Sequence, residues 1–416
     1  MIYSPQSIWR YRIFASTWLS YAGFYFCRKP FFIAKPALAE ELSWDPSLLG
    51  FIGSAYLVAY TIGQFIMGWV GSKWGPRILL LFGMAVSIAV NFLFGITNSW
   101  ITFSLLMMIN GFAQSTGWSN NVAAMAPWFS RKERGTVMGF WATNYQIGGV
   151  LASGLAAWVL ARWGIQWSFW AGSIILLGVW IFFLFNQRNK PEDVGFGLVD
   201  SSENKSIIEK NVQRDLGWSS AIWTNILLVG GFYFFVKFIR YALWSWTPFL
   251  LYRDYGLALD DAGYLSTAFD FAGAFGVIAA GFISDKYFSG KRAKISFYFI
   301  LAMTASTMLL YTYGPASLLY FGISLALVGF TLYGPDALMT GAGAIEVSTL
   351  RGAAFAAGII NGLGAVGSVV QEFILGSILD SSGAGTVFSI LLVSAVLAAI
   401  FLFLILLRNK TGKADL

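Results

Sequence analysis

Long apolar runs separated by short polar breaks fill almost the whole of this 416-residue chain. A helix needs about 20 predominantly apolar residues to cross the hydrocarbon core of a bilayer. On that measure the pattern predicts twelve spans, at 13–38, 48–71, 78–98, 101–128, 135–160, 167–186, 221–250, 261–283, 295–313, 317–341, 352–379 and 384–407. The longest polar interval, 186–217, is charged and turn-rich. It divides the chain into a first six-helix half at 1–187, a cytoplasmic linker at 188–218 and a second six-helix half at 219–416. The N-terminus passes through Arg10 and Arg12 straight into a long apolar segment, which predicts an uncleaved first span.

The two halves echo each other. Arg28 precedes Pro36 by 8 residues and Arg240 precedes Pro248 by 8; Gly50 precedes Gly68 by 18 and Gly263 precedes Gly281 by 18. Lys73 and Lys286 each follow 5 residues later, so an offset of 212 or 213 maps spans one and two onto spans seven and eight. Such a parallel repeat predicts two pseudo-symmetric halves around a central cavity, with a substrate site near the bilayer midplane.

Composition agrees, at 57% hydrophobic and 11% charged residues, and the expected class is an all-α integral membrane protein. The net charge of +7 is a matter of orientation. All but seven of the 27 Lys and Arg residues fall in the termini and loops of one face, only Arg162 and Arg253 fall on the other, and five lie within spans. The positive-inside rule then places both termini in the cytoplasm and leaves no charge to assign to nucleic acid. Cys27 is the single cysteine and there is no histidine, so neither a disulfide nor a thiolate or imidazole metal site is expected. No nucleophile with its base and no cofactor loop can be assembled, which argues against an enzyme. The small-residue run Ala353 to Gly367 has no preceding strand and no P-loop lysine, and reads as close helix packing.

Arg28, Lys29 and Lys35 interrupt the first apolar span, and Lys237 and Arg240 interrupt the seventh. An ionised Arg or Lys at mid-bilayer depth costs roughly 2.5–3.5 kcal/mol on insertion scales and normally faces a cavity, a partner or a substrate. A guanidinium stays charged and offers a planar fork of donors that matches phosphate, so Arg28 and Arg240 read as the floor of an anion site. Ion pairing is the alternative, Arg240 or Lys237 with Asp270, and Arg28 with Asp336 or Glu372. Glu346 is a further intramembrane acid near a helix end.

Gly68-Trp-Val-Gly-Ser-Lys-Trp-Gly-Pro-Arg77 and Gly281-Phe-Ile-Ser-Asp-Lys286 resemble the conserved loop of the major facilitator superfamily, whose role is conformational latching. The first copy has Ser72 where the family usually has Asp; the second keeps Asp285. A closer resemblance is to the organophosphate:inorganic phosphate antiporters, which carry glycerol 3-phosphate, hexose phosphates or phosphoglycerates. It rests on Tyr21-x-x-x-Tyr25-x-x-Arg28-Lys29, Leu49-Gly-Phe51, Ala59-Tyr60, Phe65-Ile-Met-Gly68 and Asn110-Gly-Phe-Ala-Gln-Ser-Thr-Gly-Trp118. Arg131-Lys-Glu-Arg-Gly135, Lys190-Pro-Glu-Asp-Val194, Arg240-Tyr-x-x-x-x-Trp-Thr-Pro248 and Tyr333-Gly-Pro335 extend it over nearly the whole chain.

The resemblance implies a major facilitator fold in which Arg28 and Arg240 bind phosphate, lined by Tyr21, Tyr25, Tyr60 and Lys29, with Trp118, Tyr241 and Trp246 as weaker candidates. Asp270 matches an acidic position of that family and Asp285 belongs to its loop; together with Asp336 they are the expected gating or salt-bridge acids. Three departures concern the substrate: Gln64 replaces a lysine, Tyr145 replaces a histidine and Lys237 is an added cation one turn before Arg240. The expected activity is exchange of a phosphorylated metabolite for inorganic phosphate by a monomer in a bacterial-type inner membrane, without cofactor or metal. A proton-coupled carrier of another organic anion and a transporter-like sugar-phosphate sensor are the alternatives.

Overall fold

The computed structural model describes residues 5–129, 137–138, 140–197, 220–288, 291–340 and 353–411; within them the side chains of Gly68, Trp69, Ser72, Ala221, Asp285, Thr340 and residues 353–357 are not described. The basic run Arg131 to Gly135, most of the expected linker and Glu346 lie outside the described residues.

Every regular element among the described residues is helical. The helices are α1 (Pro5–Phe26), α2 (Lys29–Leu42), α3 (Pro46–Trp74), α4 (Pro76–Phe94), α5 (Trp100–Gln114), α6 (Gly117–Met125) and α7 (Asn144–Asn186), then α8 (Ser220–Arg253), α9 (Leu259–Tyr287), α10 (Arg292–Tyr313), α11 (Leu318–Thr340), α12 (Ala353–Leu379) and α13 (Ala384–Lys410). Nine helices among the described residues are long and apolar enough to cross a membrane. The expected twelve spans are consistent with this. α7 runs for 43 residues but is broken at Gly164, whose φ of 81° is left-handed, so it supplies two spans. The first and fourth spans are each built from two shorter helices, α1 with α2 and α5 with α6.

The chain forms two compact units. The first is Met1–Ala34 with Ala55–Asp215; the second is Lys35–Ser54 with Leu216–Leu416. The second unit therefore takes the later part of α2 and the opening turns of α3 along with α8 to α13.

In the first unit the break between α1 and α2 follows from Pro30, which has no N–H to give and cannot continue the α-helical ladder. The chain tightens here, with Cys27 N bonded to Phe24 O and Arg28 N to Tyr25 O, both at 3.1 Å. The Cys27 carbonyl is taken instead by two side-chain amides, Asn91 Nδ2 at 3.0 Å and Asn110 Nδ2 at 2.8 Å. Gly172 of α7 lies over the same break; a Cβ there would sit 2.0 Å from the Phe26 carbonyl oxygen. Buried Phe24, Cys27, Leu80, Met84, Leu176 and Phe183 pack α1, α4 and α7 together around it. The repeat offset carries Pro30 onto Ala242. That substitution of Ala for Pro explains why α8 runs unbroken through Arg240, whereas the first copy breaks at its arginine.

The Gly75-Pro76-Arg77 corner fixes the start of α4. Gly75 has φ 83° and its missing Cβ would meet Asn189 Nδ2 at 2.9 Å. Asn189 Oδ1 accepts the Arg77 N–H, and Arg77 Nη2 donates to the Leu184 carbonyl at the end of α7. In the second unit α9 and α11 approach reciprocally: a Cβ on Gly276 would reach the Phe330 oxygen at 1.9 Å, and one on Gly329 the Phe269 oxygen at 2.1 Å. In lipid, where apolar burial between helices gains little, such close small-residue contacts supply much of the packing energy.

Candidate functional site

Arg28 opens the turn between α1 and α2, so its position is set by the break. The residue is 6% exposed. Its Nε donates to Gln114 Oε1 at 2.9 Å, and the same oxygen accepts the Tyr56 hydroxyl at 3.0 Å. The guanidinium carbon lies 4.7 Å from the Tyr25 ring centroid, 5.0 Å from Tyr60 and 5.6 Å from Tyr56, distances at which a cation is held by ring quadrupoles. Tyr56 and Tyr60 stack at 5.9 Å, and the Tyr21 and Tyr60 hydroxyls are 3.5 Å apart. Arg28 Nη2 is buried with no hydrogen-bond partner, and no carboxylate among the described residues pairs with this arginine. Among the described residues the environment is thus polarisable, hydroxyl-rich and without a counter-charge.

The other predicted residues of this unit are distributed around that centre. Tyr21 and Tyr25 are buried on α1, and Tyr21 packs edge-on against Trp118 at 5.5 Å. Lys29 begins α2 and is 3% exposed. Gln64 is half-buried on α3, one turn after Tyr60, and Tyr145 is half-buried in the first turn of α7.

Arg240 in the second unit is dressed differently. Its Nη1 meets Asp336 Oδ2 at 2.7 Å, and the guanidinium lies 4.6 Å from the Tyr333 ring. Tyr333 and Asp336 are three residues apart on α11 and so share a face. Tyr333 donates its hydroxyl to Asp270. The sequence placed Asp270 first as the partner of Lys237 or Arg240 and offered Asp336 to Arg28; the structure gives Arg240 the carboxylate of Asp336. Lys237 is half-buried one turn earlier on α8, its ammonium 5.1 Å from the Tyr233 ring and 5.5 Å from Tyr241. Asp285 is in the last turn of α9, with its side chain outside the description.

Two groups escaped the sequence reading as functional positions. Asn91, Asn110, Gln114 and Tyr56 form the bed of Arg28; their signal was the i, i+4 amide pair Asn110 and Gln114 inside an apolar span. The second group is an ion pair between Lys35 and Glu372, with the Ser245 hydroxyl donating to Glu372 and accepting from Lys35 at 2.7 Å. Glu372 had been a candidate partner for Arg28. Trp246, a weaker substrate candidate, instead covers the Lys35 ammonium at 3.4 Å and is fully buried.

The family model of the Major Facilitator Superfamily matches residues 13–371. The glycerol-3-phosphate transporter of Bacillus subtilis is 30% identical over 420 residues, covering 97% of this chain and 93% of that protein. The chain belongs to the organophosphate:phosphate antiporter family of this superfamily. A Chlamydia pneumoniae protein named "Probable hexose phosphate transport protein" is 28% identical over 414 residues, covering 95% and 90% of the two chains. Among solved structures, an inward-facing, unoccupied bacterial homologue of the human lysosomal transporter Spinster superposes with a TM-score of 0.70 at 16% identity, covering 97% of each chain. That likeness bears on the fold alone. The major facilitator fold, multi-pass membrane placement and transporter class expected from the sequence all stand.

Proposed function

We propose that this member of the family exchanges a phosphorylated metabolite for inorganic phosphate by alternating access, and that Arg28 and Arg240 each bind the phosphate group. The observation that carries the reading is Arg28 itself, a buried guanidinium held by a neutral amide, with an unpartnered Nη2 and no carboxylate paired with it among the described residues. Such a charge is costly without a counter-ion and is stabilised when an oxyanion arrives. Tyr21, Tyr25, Tyr60, Lys29 and Gln64 supply donors and ring surface on the first unit; Lys237 does so on the second, and Tyr145 stands in place of the family's histidine.

The two arginines have different tasks in this scheme. Arg28 is the capturing charge, whereas Arg240 already has Asp336 at 2.7 Å. Phosphate competes with that carboxylate for the guanidinium, and Asp336 is released only while substrate is bound. Coupling the exchange of partners to closure gives the ligand the differential affinity that a conformational change requires. An empty site keeps an uncompensated cation, which disfavours return without cargo and makes exchange obligatory. Asp270, tied to Tyr333, holds the face on which Asp336 sits, and Asp285 belongs to the cytoplasmic latch. Both termini are cytoplasmic, the working unit is a monomer, and the role is transport rather than catalysis.

The test is counterflow in proteoliposomes loaded with unlabelled phosphate. Labelled phosphate should enter rapidly, stop entering in unloaded vesicles, and be displaced by the preferred glycerol phosphate, hexose phosphate or phosphoglycerate. The buried acids Asp270 and Asp336 favour a second reading, proton-coupled uptake of another anion. It predicts uptake that rises with external acidity and collapses with a protonophore.

A further inference from the structure

The amides beneath Arg28 form a directed relay. Arg28 Nε donates to Gln114 Oε1, Gln114 Nε2 donates to Asn110 Oδ1 at 3.1 Å, and Asn110 Nδ2 donates to the Cys27 carbonyl. An arginine can only donate and a carbonyl can only accept, so the orientation of both amides is fixed from the two ends. Every bond in the series points the same way, which strengthens each through its neighbours. Cys27 and Arg28 are adjacent, so the relay closes a ring: one face of α5 grips the backbone just before Arg28 and the side chain of Arg28 itself. Gln114, Asn110 and Asn91 are 0%, 1% and 1% exposed, and Asn91 doubles the grip on Cys27.

We infer that Gln114 is a positioning residue for substrate, holding the Nε edge of Arg28 so that its Nη end is presented to the phosphate with its charge undiminished. The inference rests on the reading of Arg28 as a phosphate ligand. A carboxylate at position 114 would hold the guanidinium as firmly but neutralise it, and could not donate to Asn110. An apolar side chain of the same length would leave the charge but release the fork. A neutral acceptor that is also a donor meets both requirements, and Gln is the residue of this reach that supplies them. With Nε spent on Gln114, the oxyanion is engaged by the two Nη groups, an end-on geometry suited to the exposed oxygens of a phosphate monoester or inorganic phosphate.

The experiment measures binding of inorganic phosphate to the purified full-length protein, together with exchange kinetics. Gln114→Glu and Gln114→Met are each made alone and in an Arg28→Lys background. Each single variant should weaken phosphate binding by about tenfold or more, with KM rising more than the maximal exchange rate falls. In the Arg28→Lys background neither should cause further loss, because the fork it positions is gone. Tyr56→Phe, which removes the other donor to Gln114 Oε1, keeps the chain folded if the Gln114 variants do not, and should weaken binding by about threefold. Wild-type-like binding by Gln114→Glu, additive losses with Arg28→Lys, or an unchanged Tyr56→Phe would overturn the inference while leaving phosphate transport intact. Absence of phosphate binding by the wild type would overturn the transport reading and this inference with it.

Discussion

The Lys35 ammonium and the Glu372 carboxylate meet at 2.9 Å with no accessible surface on either side chain. They join α2 to α12, and Ser245 of α8 bonds to both. A buried ion pair contributes little net stability against an apolar pair, but removing one partner strands the other charge, typically at a cost of about 3–5 kcal/mol. Lys35→Ala and Glu372→Ala should therefore each lower the thermal unfolding temperature sharply in detergent. Lys35→Met combined with Glu372→Leu should recover most of the loss. A double variant no better than the worse single one would show that the charges are not partners in energy as they are in space.

Asp336→Asn removes the carboxylate that phosphate must displace from Arg240. Phosphate affinity should rise, by up to about tenfold, while turnover slows because release of bound anion is no longer assisted. Isothermal titration and counterflow rates measured on the same preparation separate the two effects. Weaker phosphate binding in this variant would rule out competition at Arg240.

Arg28→Lys and Arg240→Lys keep the charge but lose the planar fork. Each should reduce phosphate exchange by about tenfold or more, with the fold retained as judged by size-exclusion elution. Intact transport by both variants would disprove the paired clamp.

Gly172→Ala forces a methyl group against the Phe26 carbonyl, where the gap to a Cβ is 2.0 Å. The backbone of α7 would have to retreat from the α1–α2 break, at a cost of about 1–3 kcal/mol. The variant should unfold at lower temperature and bind phosphate less well than Gly154→Ala, where a Cβ meets nothing within 4 Å.

The pH profile of phosphate binding should follow the ligand. The chain has no histidine, and arginines do not titrate in the working range. If the two guanidiniums prefer the dianion, affinity rises with pH through the second ionisation of a phosphate ester, at roughly 6, and is level above it. A profile that instead improves toward acid pH would favour proton coupling through Asp270 or Asp336.

Apolar run length made the all-helical, membrane-spanning architecture legible. Arg28 and Arg240 stood out because charge in an apolar run is a strong signal. What sequence could not supply was partner choice. Lys35 and Glu372 are 337 residues apart, and no local periodicity links them. Asp270 was the expected acid for Lys237 or Arg240, and Asp336 for Arg28; the 2.7 Å contact instead gives Asp336 to Arg240 across 96 residues of sequence. The helix break at Cys27 was not read from the sequence, because a proline such as Pro30 within an apolar span can also sit inside a helix, as Pro36 does in α2. The amides of Asn91 and Asn110 that take the Cys27 carbonyl come from 64 and 83 residues away, which no local pattern links.

Cys27, the chain's single thiol, is sealed among Phe24, Leu80, Met84, Leu176 and Phe183 with 2% of its surface exposed. The native protein is therefore already a near-silent background for thiol-directed probes. Pairs of cysteines placed on the solvent-facing ends of the helices can carry spin labels or fluorophores without first deleting a native residue beside Arg28. Distances recorded with and without phosphate would then follow the two units through their working cycle in an otherwise unaltered transporter.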